Sequence, residues 1–444
     1  MKWNRRQRKA IEADIDKNIC VIGPAGTGKT GTIEGRCHWL ASSVERDKIR
    51  LITFTNKAAD EIEERLPLST PNNVSTYSSW CYTELRGSGC DIDLFDDEKD
   101  EQRKFVKKIV GDEFDVDKLI QLIGYCANKQ MKVKEAVPQR FKHFAGKEKQ
   151  LQKVITEYET AKSKSGNWDF DDLLTNFYEQ LKDKSFLKKL VAKTHYLLVD
   201  EAQDLSVIQW KILRKLAKNG VRLFCVGDPC QNIYSFRGAS GKYLEQFEKR
   251  FSNSKVVELQ KNYRSSQEIV GISNWLRLII NDSYHEVKAT KGSSLAPLLI
   301  SEEGFESSME ILCECIGRLL EEGSQVEEIA VLVRTNKQIK QVGKVLVKEN
   351  VPVANEKGSS GVELLTMHGS KGKGFKHVFV IDPRFGYSEL DTKYCEQRLL
   401  YVALTRAKSS LTIVQSIDGK ALYSDAKKGT YPIDEMTRPL LEIV

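Results

Sequence analysis

Two short motifs carry side chains suited to phosphate chemistry. GPAGTGKT, residues 23–30, follows the apolar run NICVI and matches the full G-x-x-x-x-G-K-[ST] pattern. In this pattern the Lys29 ammonium reaches the β and γ phosphate oxygens and the Thr30 hydroxyl holds magnesium. Backbone N–H groups of the loop surround the phosphates, which here implicates Gly23, Ala25, Gly26, Thr27 and Gly28. The motif predicts an ATP site with Mg²⁺ as cofactor.

LLVDEAQD, residues 197–204, places two carboxylates at the end of an apolar run that reads as a buried strand. Open α/β sheets bind their ligands at this end of the strands. We expect Asp200 to be an outer ligand of magnesium and Glu201 to take a proton from the attacking water. An acidic strand end alone is often an exposed turn, but its combination with GPAGTGKT favours an ATP hydrolase.

GDPCQNIYSFRG, residues 227–238, combines groups that suit two ligands. Gln231 and Arg237 can address phosphate oxygens, whereas Tyr234 and Phe236 offer flat faces on which a base can stack. The loop is therefore predicted to join two sites. Core packing is the alternative for each aromatic residue, because the sequence does not show exposure.

Composition limits the possible classes. The 444 residues contain 40% apolar and 30% charged residues, as in soluble globular proteins, and suggest two or three domains. The formal net charge of +7 permits a polyanionic partner without proving one. No apolar run reaches the roughly 18 residues of a membrane helix and the N-terminus has no signal-peptide core, so we expect a cytoplasmic protein without a membrane partner.

Short β-branched runs alternate with helical patterns along most of the chain, which indicates an α/β fold with parallel sheets. The nine predicted strands are NICVIG, IRLITFT, HYLLVD, VRLFCVG, VVELQ, EIAVLVR, VELLTMH, HVFVID and SLTIV. Residues 87–193 are charged and poor in strands, so they are predicted to form an all-helical insertion. The expected domains are a first lobe of residues 1–86 and 194–262, this insertion, and a second lobe of residues 263–444.

The order of the motifs resembles that of superfamily 1 DNA helicases of the UvrD, Rep and PcrA type. Seven motifs carry the resemblance: WNRRQ, TFTNKAADEI, VDEAQD, GDPCQNIYSFRGA, LQKNYRSS, LLTMHGSKGKGF and LLYVALTRAK. The resemblance implies two RecA-like P-loop lobes. By this resemblance, Gln7 matches the residue that hydrogen-bonds to the edge of the adenine, and Tyr263 matches the residue whose ring stacks on that base. Gln231 matches the residue whose amide senses the γ-phosphate. Arg264 and Arg406 are similar to the two arginine fingers of the second lobe.

The resemblance also implies contacts to single-stranded DNA. Base stacking on aromatic rings contributes roughly 1 to 3 kcal/mol per base without regard to sequence, as a translocating motor requires. The residues that match the DNA contacts of the family are Phe54, Thr55, Asn56, Tyr77, Tyr234, Phe236, Thr366 and His368, and Arg237 is added for its charge. The basic residues between Lys129 and Lys164 could follow duplex phosphates at a junction, or form a solvated helix face.

The chain also departs from the family pattern. About eight residues, 354–361, replace a large helical insertion of long relatives, so the fourth domain is expected to be absent; EKGSSG, residues 356–361, reads as a flexible joint. Gly31 stands where relatives have an arginine, Ser78 where they have a histidine, and Gly374 where they have a glutamate. We expect hydrolysis to survive with a less tightly held nucleoside.

The leading hypothesis is an ATP-dependent helicase that moves on single-stranded DNA, 3′-to-5′ by resemblance, and unwinds duplex. The alternative is a DNA-dependent ATPase that reports DNA ends or exposed single strands to a partner nuclease. Short helicases of this kind occur beside nucleases of the OLD type in the Gabija antiviral system. An inactive adaptor is the third possibility, and the intact Lys29, Glu201 and Arg406 argue against it.

Overall fold

The computed structural model describes residues 3–66, 73–302, 304–354, 359–382, 393–416 and 442–443. The chain divides into two compact units. The first unit comprises Met1–Gly23 and Lys29–Leu259, and the second comprises Pro24–Gly28 and Gln260–Val444. Each unit contains one six-stranded sheet within the described residues.

The strands of the first unit come mainly from short, β-branched apolar runs. In chain order they are β1 (Asn18–Ile22), β2 (Ile49–Thr53), β3 (Val74–Thr76), β4 (Asp93–Leu94), β5 (Asn167–Trp168), β6 (Tyr196–Val199), β7 (Arg222–Gly227) and β8 (Ser254–Glu258). The main sheet has the order β3-β2-β6-β7-β1-β8, and all its pairs are parallel. Its carboxyl ends therefore lie at one edge, where GPAGTGKT, TFTN, DEAQD and GDPCQ begin.

Helices cover the sheet and fill the segments between strands. They are α1 (Arg5–Ile11), α2 (Lys29–Ala41), α3 (Asn56–Glu63), α4 (Tyr77–Gly87), α5 (Glu101–Val110), α6 (Val116–Lys129), α7 (Val133–Arg140), α8 (Glu148–Ser165), α9 (Phe170–Gln180), α10 (Lys184–Ala192), α11 (Val207–Lys218), α12 (Lys242–Glu245) and α13 (Phe247–Arg250). Side chains at the N-cap positions define where several of these helices begin. Thr55 accepts the Ala58 N–H and Asp169 accepts the Asp172 N–H.

The segment 87–193 contributes to two hydrophobic cores. Apolar residues of α5 to α8 form a core of their own, which includes Leu119, Leu122 and Tyr158. Helices α9 and α10 instead pack on the sheet core, through residues such as Phe177 and Leu190. The prediction of an all-helical segment is wrong in one detail, because β4 and β5 form a short parallel pair.

The second unit repeats the parallel design. Its strands are β9 (Lys261–Asn262), β10 (Lys288–Ala289), β11 (Leu298–Glu302), β12 (Ile329–Val333), β13 (Glu363–Thr366), β14 (Phe375–Ile381), β15 (Ala407–Ser416) and β16 (Glu442–Ile443). The larger sheet has the order β13-β12-β14-β15-β11-β16, and β9 pairs with β10. The described helices are α14 (Gln267–Ile280), α15 (Phe305–Glu321), α16 (Asn336–Lys348) and α17 (Lys393–Leu404).

The short connection after α16 is held by backbone bonds. Val353 bridges Val362, and the Ala354 N–H donates to the Val362 carbonyl over 3.0 Å. Of the predicted joint EKGSSG, residues 356–358 lie outside the described residues. A search of the described helices found none that is both long and apolar enough to cross a membrane.

Candidate functional site

Five buried or partly buried side chains of the first unit form a hydrogen-bonded cluster, which we call the carboxylate network: Asp200, Glu201, Gln203, Asp228 and Gln231. Parallel strands place them together, because Asp200 follows β6 and Asp228 follows the neighbouring β7. The Asp200 N–H donates to the Ile52 carbonyl, which extends the β6–β2 ladder by one bond. The parallel sheet therefore positions these side chains at the carboxyl ends of its strands.

Gln203 connects the two carboxylate segments. Its Nε2 donates to Glu201 Oε2 over 2.5 Å, and its Oε1 accepts the Asp228 N–H over 3.0 Å. The side chain of Gln203 is fully buried. A Cβ at Gly227 would lie 2.5 Å from Gln203 Oε1, so this glycine leaves room for the amide. Gln203 is not among the predicted site residues, although its place inside DEAQD was a signal.

Asp228 continues the network towards Gln231. Asp228 Oδ2 accepts a bond from Gln231 Nε2 over 3.1 Å, and its Oδ1 accepts the Cys230 N–H. Both side chains are buried. Gln231, predicted to sense a γ-phosphate, is thus held at a defined position by a residue that sequence reasoning did not single out.

Asp200 and Glu201 are electrostatically unusual. The protein surrounds Asp200 on most sides, and this burial raises its pKa to about 7, with a further rise from the charge of Glu201 and an opposing effect of Lys29. Glu201 adopts a φ of +48°, a left-handed conformation that costs energy for a non-glycine residue. Asp200 and Glu201 are adjacent acidic groups that lie near Lys29. Their oxygens form a donor set that fits a divalent cation, because the positive charge of the cation would favour the ionised form of Asp200.

The glycine-rich loop has the backbone form that phosphate binding requires. Gly26 and Gly28 have φ values of +74° and +79°, and helix α2 begins at Lys29. Lys29 is half-buried and Thr30 is exposed. Gly23 stays with the sheet of the first unit, since its N–H donates to the Gly227 carbonyl over 2.9 Å.

Within the second unit, side chains hold the loop segment Pro24–Gly28. Asn262 Nδ2 donates to the Ala25 carbonyl over 2.9 Å, and the Ala25 N–H donates to the Tyr401 hydroxyl over 3.1 Å. The Tyr263 N–H donates to the Gly26 carbonyl over 2.8 Å. Asn262 and Tyr401 are further residues that the sequence analysis missed, although both lie inside the motifs NYR and LLYVALTR.

The residues predicted to contact the nucleoside differ in exposure. Tyr263 is 43% exposed, so part of its side chain is open to solvent. Gln7 is buried on α1, and its Oε1 accepts the Asn4 N–H in a capping box. Gly31 lies on α2, where it has no side chain with which to cover a base.

The two predicted arginine fingers lie in the second unit with their guanidinium groups turned to backbone carbonyls. Arg264 Nη1 donates to the Thr405 carbonyl over 3.4 Å. Arg406 is 1% exposed and donates to the carbonyls of Val402 and Lys373 over 2.8 and 2.9 Å. Arg406 is thus held by carbonyl groups of its own unit.

Three aromatic side chains form a second cluster of the first unit, which we call the aromatic row: Phe54, Tyr234 and Phe236. Phe54 stacks on Tyr234 with centroids 5.1 Å apart, and Tyr234 meets Phe236 at 5.9 Å. The Arg237 guanidinium lies 5.7 Å from the Phe236 centroid. Phe54 is 39% exposed, and its neighbours Thr55 and Asn56 are exposed as well. The row offers ring surface and one cation to solvent.

The structure corrects one predicted DNA contact. Tyr77 is 4% exposed, its ring packs on Trp80, and its hydroxyl donates to the Gln209 carbonyl over 3.1 Å. It is therefore a core residue, held by the same apolar face of α4 that buries Trp80. In the second unit Thr366 ends β13 and His368 follows in the next turn, both partly exposed.

Comparison with known proteins agrees with the motif order. Residues 3–252 match the model of the UvrD/REP helicase N-terminal domain. Residues 257–359 and 353–417 match that of the UvrD-like helicase C-terminal domain.

Several curated proteins are similar over most of this chain. A "Probable DNA helicase II homolog" of Mycoplasma capricolum is 30% identical over 78% of this chain and 51% of its own length. The "ATP-dependent DNA helicase PcrA" of Leuconostoc citreum is 28% identical over 79% of this chain and 49% of its own. A "Probable DNA helicase" of Mycoplasma pneumoniae is 27% identical over 93% of this chain and 83% of its own. The chain spans about half the length of the first two relatives.

The N-terminal model alone covers more than half of the chain, and the C-terminal model follows it in the expected order. The predicted α/β class with two RecA-like parallel sheets is confirmed in the described residues, whereas the all-helical insertion is not. The chain belongs to the UvrD/REP helicase family.

Proposed function

We propose that this protein is an ATP-dependent DNA helicase that moves on single-stranded DNA and unwinds duplex ahead of it. The observation that carries the proposal is the loop of residues 227–238. Its start holds Asp228 and Gln231 in the carboxylate network, and its end holds Tyr234 and Phe236 in the aromatic row. One short segment thus connects a polar site for phosphate chemistry with a flat surface for bases.

ATP would bind at the glycine-rich loop, with its phosphates against the loop N–H groups and Lys29. The Thr30 hydroxyl and the Asp200 carboxylate would hold Mg²⁺, which would supply charge neutralisation for the phosphates. Tyr263 would stack on the base, and Gln7 would read its edge. Support for the cation comes from the placement of two carboxylates at the end of β6, where Asp200 lies next to Glu201 and accepts its N–H over 2.8 Å.

Glu201 would accept the proton of the attacking water. Its hydrogen bond to Gln203 fixes one carboxylate oxygen, and Gln203 in turn is fixed by the Asp228 N–H. A base held in this way requires little reorganisation during proton transfer. Gln231 would detect the terminal phosphate, and Arg264 and Arg406 would stabilise the charge that develops on it. In the structure the Arg406 guanidinium donates to the Val402 and Lys373 carbonyls, so for this role it would turn or use its other N–H donors.

Single-stranded DNA would lie on the aromatic row, with Thr55, Asn56 and Arg237 near the sugar-phosphate backbone. Thr366 and His368 would add contacts from the second unit. Stacking on aromatic rings does not depend on which base is bound. Separation of one base-pair step, which unwinding requires, costs about 1.4 kcal/mol on average. The direction of movement, 3′-to-5′, is proposed from the resemblance of the motifs alone.

The test is displacement of a labelled strand from duplexes that carry a 3′ or a 5′ single-stranded tail, with ATP and Mg²⁺. We expect displacement from the 3′-tailed duplex and none with Lys29→Ala. Equal ATP hydrolysis with and without DNA, together with no displacement from either duplex, would refute the proposal. Displacement from the 5′-tailed duplex alone would refute only the direction.

A second candidate is a DNA-dependent ATPase that signals DNA ends to a partner nuclease. The short connection between Val353 and Val362 favours it, because a family insertion is reduced there to a few residues. A sensor would hydrolyse ATP on DNA yet release little strand alone. Co-purification from the native host, followed by repetition of the displacement assay with any bound nuclease, distinguishes the two candidates.

A further inference from the structure

The C-terminal end of helix α6 lies directly under the aromatic loop, which we define as residues 234–238. Gly238 has a φ of +88°, and a Cβ at this position would lie 2.8 Å from Asn128 Cβ. The same Cβ would lie 3.4 Å from the Lys129 nitrogen. Only a glycine allows the loop to approach the helix so closely.

Asn128 is held firmly within the first unit. Its Nδ2 donates to the Gly124 carbonyl over 2.9 Å and to Asp171 Oδ1 over 2.6 Å. Asp171 belongs to α9, which packs on the sheet core. The end of α6 is thus tied to a helix of that core, and the Asn128 side chain is a fixed support for Gly238 rather than a mobile surface group.

The other side of the aromatic loop is held by the segment that follows DEAQD. Ala239 pairs with Ser206, and the Ser240 N–H donates to the Leu205 carbonyl over 3.1 Å. Lys129 Nζ donates to the Ala239 carbonyl over 3.4 Å. The loop therefore has two supports, one next to the carboxylate network and one on α6.

We propose that Asn128 is a positioning residue for single-stranded DNA binding, because it fixes the height and angle of the loop that carries Tyr234 and Phe236. The inference rests on the proposed function, since it concerns how the same loop grips DNA. Through Asn128, the helical segment of α5 to α8 sets the DNA concentration at which ATP hydrolysis is stimulated. The Asn128 amide donates to Gly124 and Asp171, and its role is to support the loop and not to bind a ligand.

The first test is Gly238→Ala with Gly166→Ala as its matched control. Gly166 has a similar φ of +76°, but a Cβ there would meet nothing within 4 Å. ATP hydrolysis is measured against the concentration of a dT oligonucleotide. We expect Gly238→Ala to raise the half-maximal DNA concentration roughly tenfold, the equivalent of most of one stacked base. The control should stay within about twofold of the wild type.

The second test does not alter the loop. Asn128→Asp replaces the amide donor with a carboxylate opposite Asp171, so the two helices are pushed apart. Asn176→Asp on α9 is the control, because Asn176 is also partly buried and donates to the Asp172 carbonyl of its own helix. We expect the half-maximal DNA concentration to rise with Asn128→Asp and to change little with Asn176→Asp. Thermal melts identify any variant that fails to fold.

Gly166→Ala has the same left-handed backbone strain without a contact, so the comparison with Gly238→Ala separates displacement of the loop from backbone strain. Wild-type hydrolysis that DNA does not stimulate would overturn the proposed function, and this inference with it. Wild-type stimulation, with Gly238→Ala and Asn128→Asp matching their controls, would overturn the inference alone.

Discussion

The carboxylate network is largely buried and closed by hydrogen bonds, whereas the aromatic row is partly exposed and held by ring contacts. In the network, Gln203 fixes both Glu201 and Asp228. In the row, Phe54 and Tyr234 stack on each other and leave ring surface open. The difference matches the two tasks, because hydrolysis needs one fixed geometry and movement along DNA needs a surface that accepts any base. Mutations in the two regions should therefore have different kinetic effects.

Glu201→Gln should produce the largest effect. The amide keeps the shape of the side chain but cannot accept a proton, so kcat for ATP hydrolysis should fall by about 10² to 10⁴. Affinity for single-stranded DNA, measured by fluorescence anisotropy, should stay close to that of the wild type. Wild-type turnover by this variant would show that Glu201 is not the base.

Gln203→Ala tests the bridge inside the carboxylate network. It removes a hydrogen bond to a charged group, which is worth about 1.5 to 3 kcal/mol, so kcat should fall roughly 10- to 100-fold. Gln246→Ala is the control, because Gln246 is exposed in the same unit. Equal rates for the two variants would mean that Glu201 needs no support from Gln203.

Phe54→Ala tests the aromatic row. Loss of one stacking surface should weaken binding of a dT oligonucleotide by roughly 5- to 100-fold, as measured by anisotropy. Phe170→Ala controls for the removal of an exposed ring, since Phe170 is 47% exposed on α9. A similar loss of affinity in both variants would place the DNA elsewhere.

Asp171→Asn should produce the smallest effect, and one on stability rather than catalysis. Burial is the main cause that raises the pKa of Asp171 to about 6, and the charges of Asp169 and Asp172 raise it further. The Asn128 hydrogen bond and the Lys162 charge act in the opposite direction. Because the folded-state pKa is raised, protonated Asp171 contributes stability at low pH that is lost as the pH rises through about 6.

The asparagine keeps the neutral form at every pH. The free energy of unfolding of Asp171→Asn, relative to wild type, should therefore rise by about 1 kcal/mol between pH 5 and pH 8 in urea titrations. Asp97→Asn, at an exposed position of the same unit, is the control. If the difference in unfolding free energy between Asp171→Asn and wild type did not depend on pH, the fold would not disfavour the ionised form of Asp171.

The strands and the main motifs were predictable because they are local in sequence. All nine apolar runs form strands, from Asn18–Ile22 to Ala407–Ser416. Long-range contacts were not predictable. The sequence does not show that Gln203 bridges Glu201 and Asp228, or that Asn262 reaches Ala25, because these pairs depend on strand order. Tyr77 was placed wrongly for the same reason, since its burial depends on Trp80 and the packing of α4. Strand β11 was missed although LLISE is as long as the strand IRLIT, which was predicted.

The most direct measurement is the rate of ATP hydrolysis as a function of single-stranded DNA concentration for wild type, Glu201→Gln and Phe54→Ala. The two regions predict separate outcomes. Phe54→Ala should need more DNA yet approach the wild-type rate at saturation, whereas Glu201→Gln should stay inactive at every DNA concentration. A Phe54→Ala plateau as low as that of Glu201→Gln would contradict the division between a buried hydrolytic network and an exposed surface for bases.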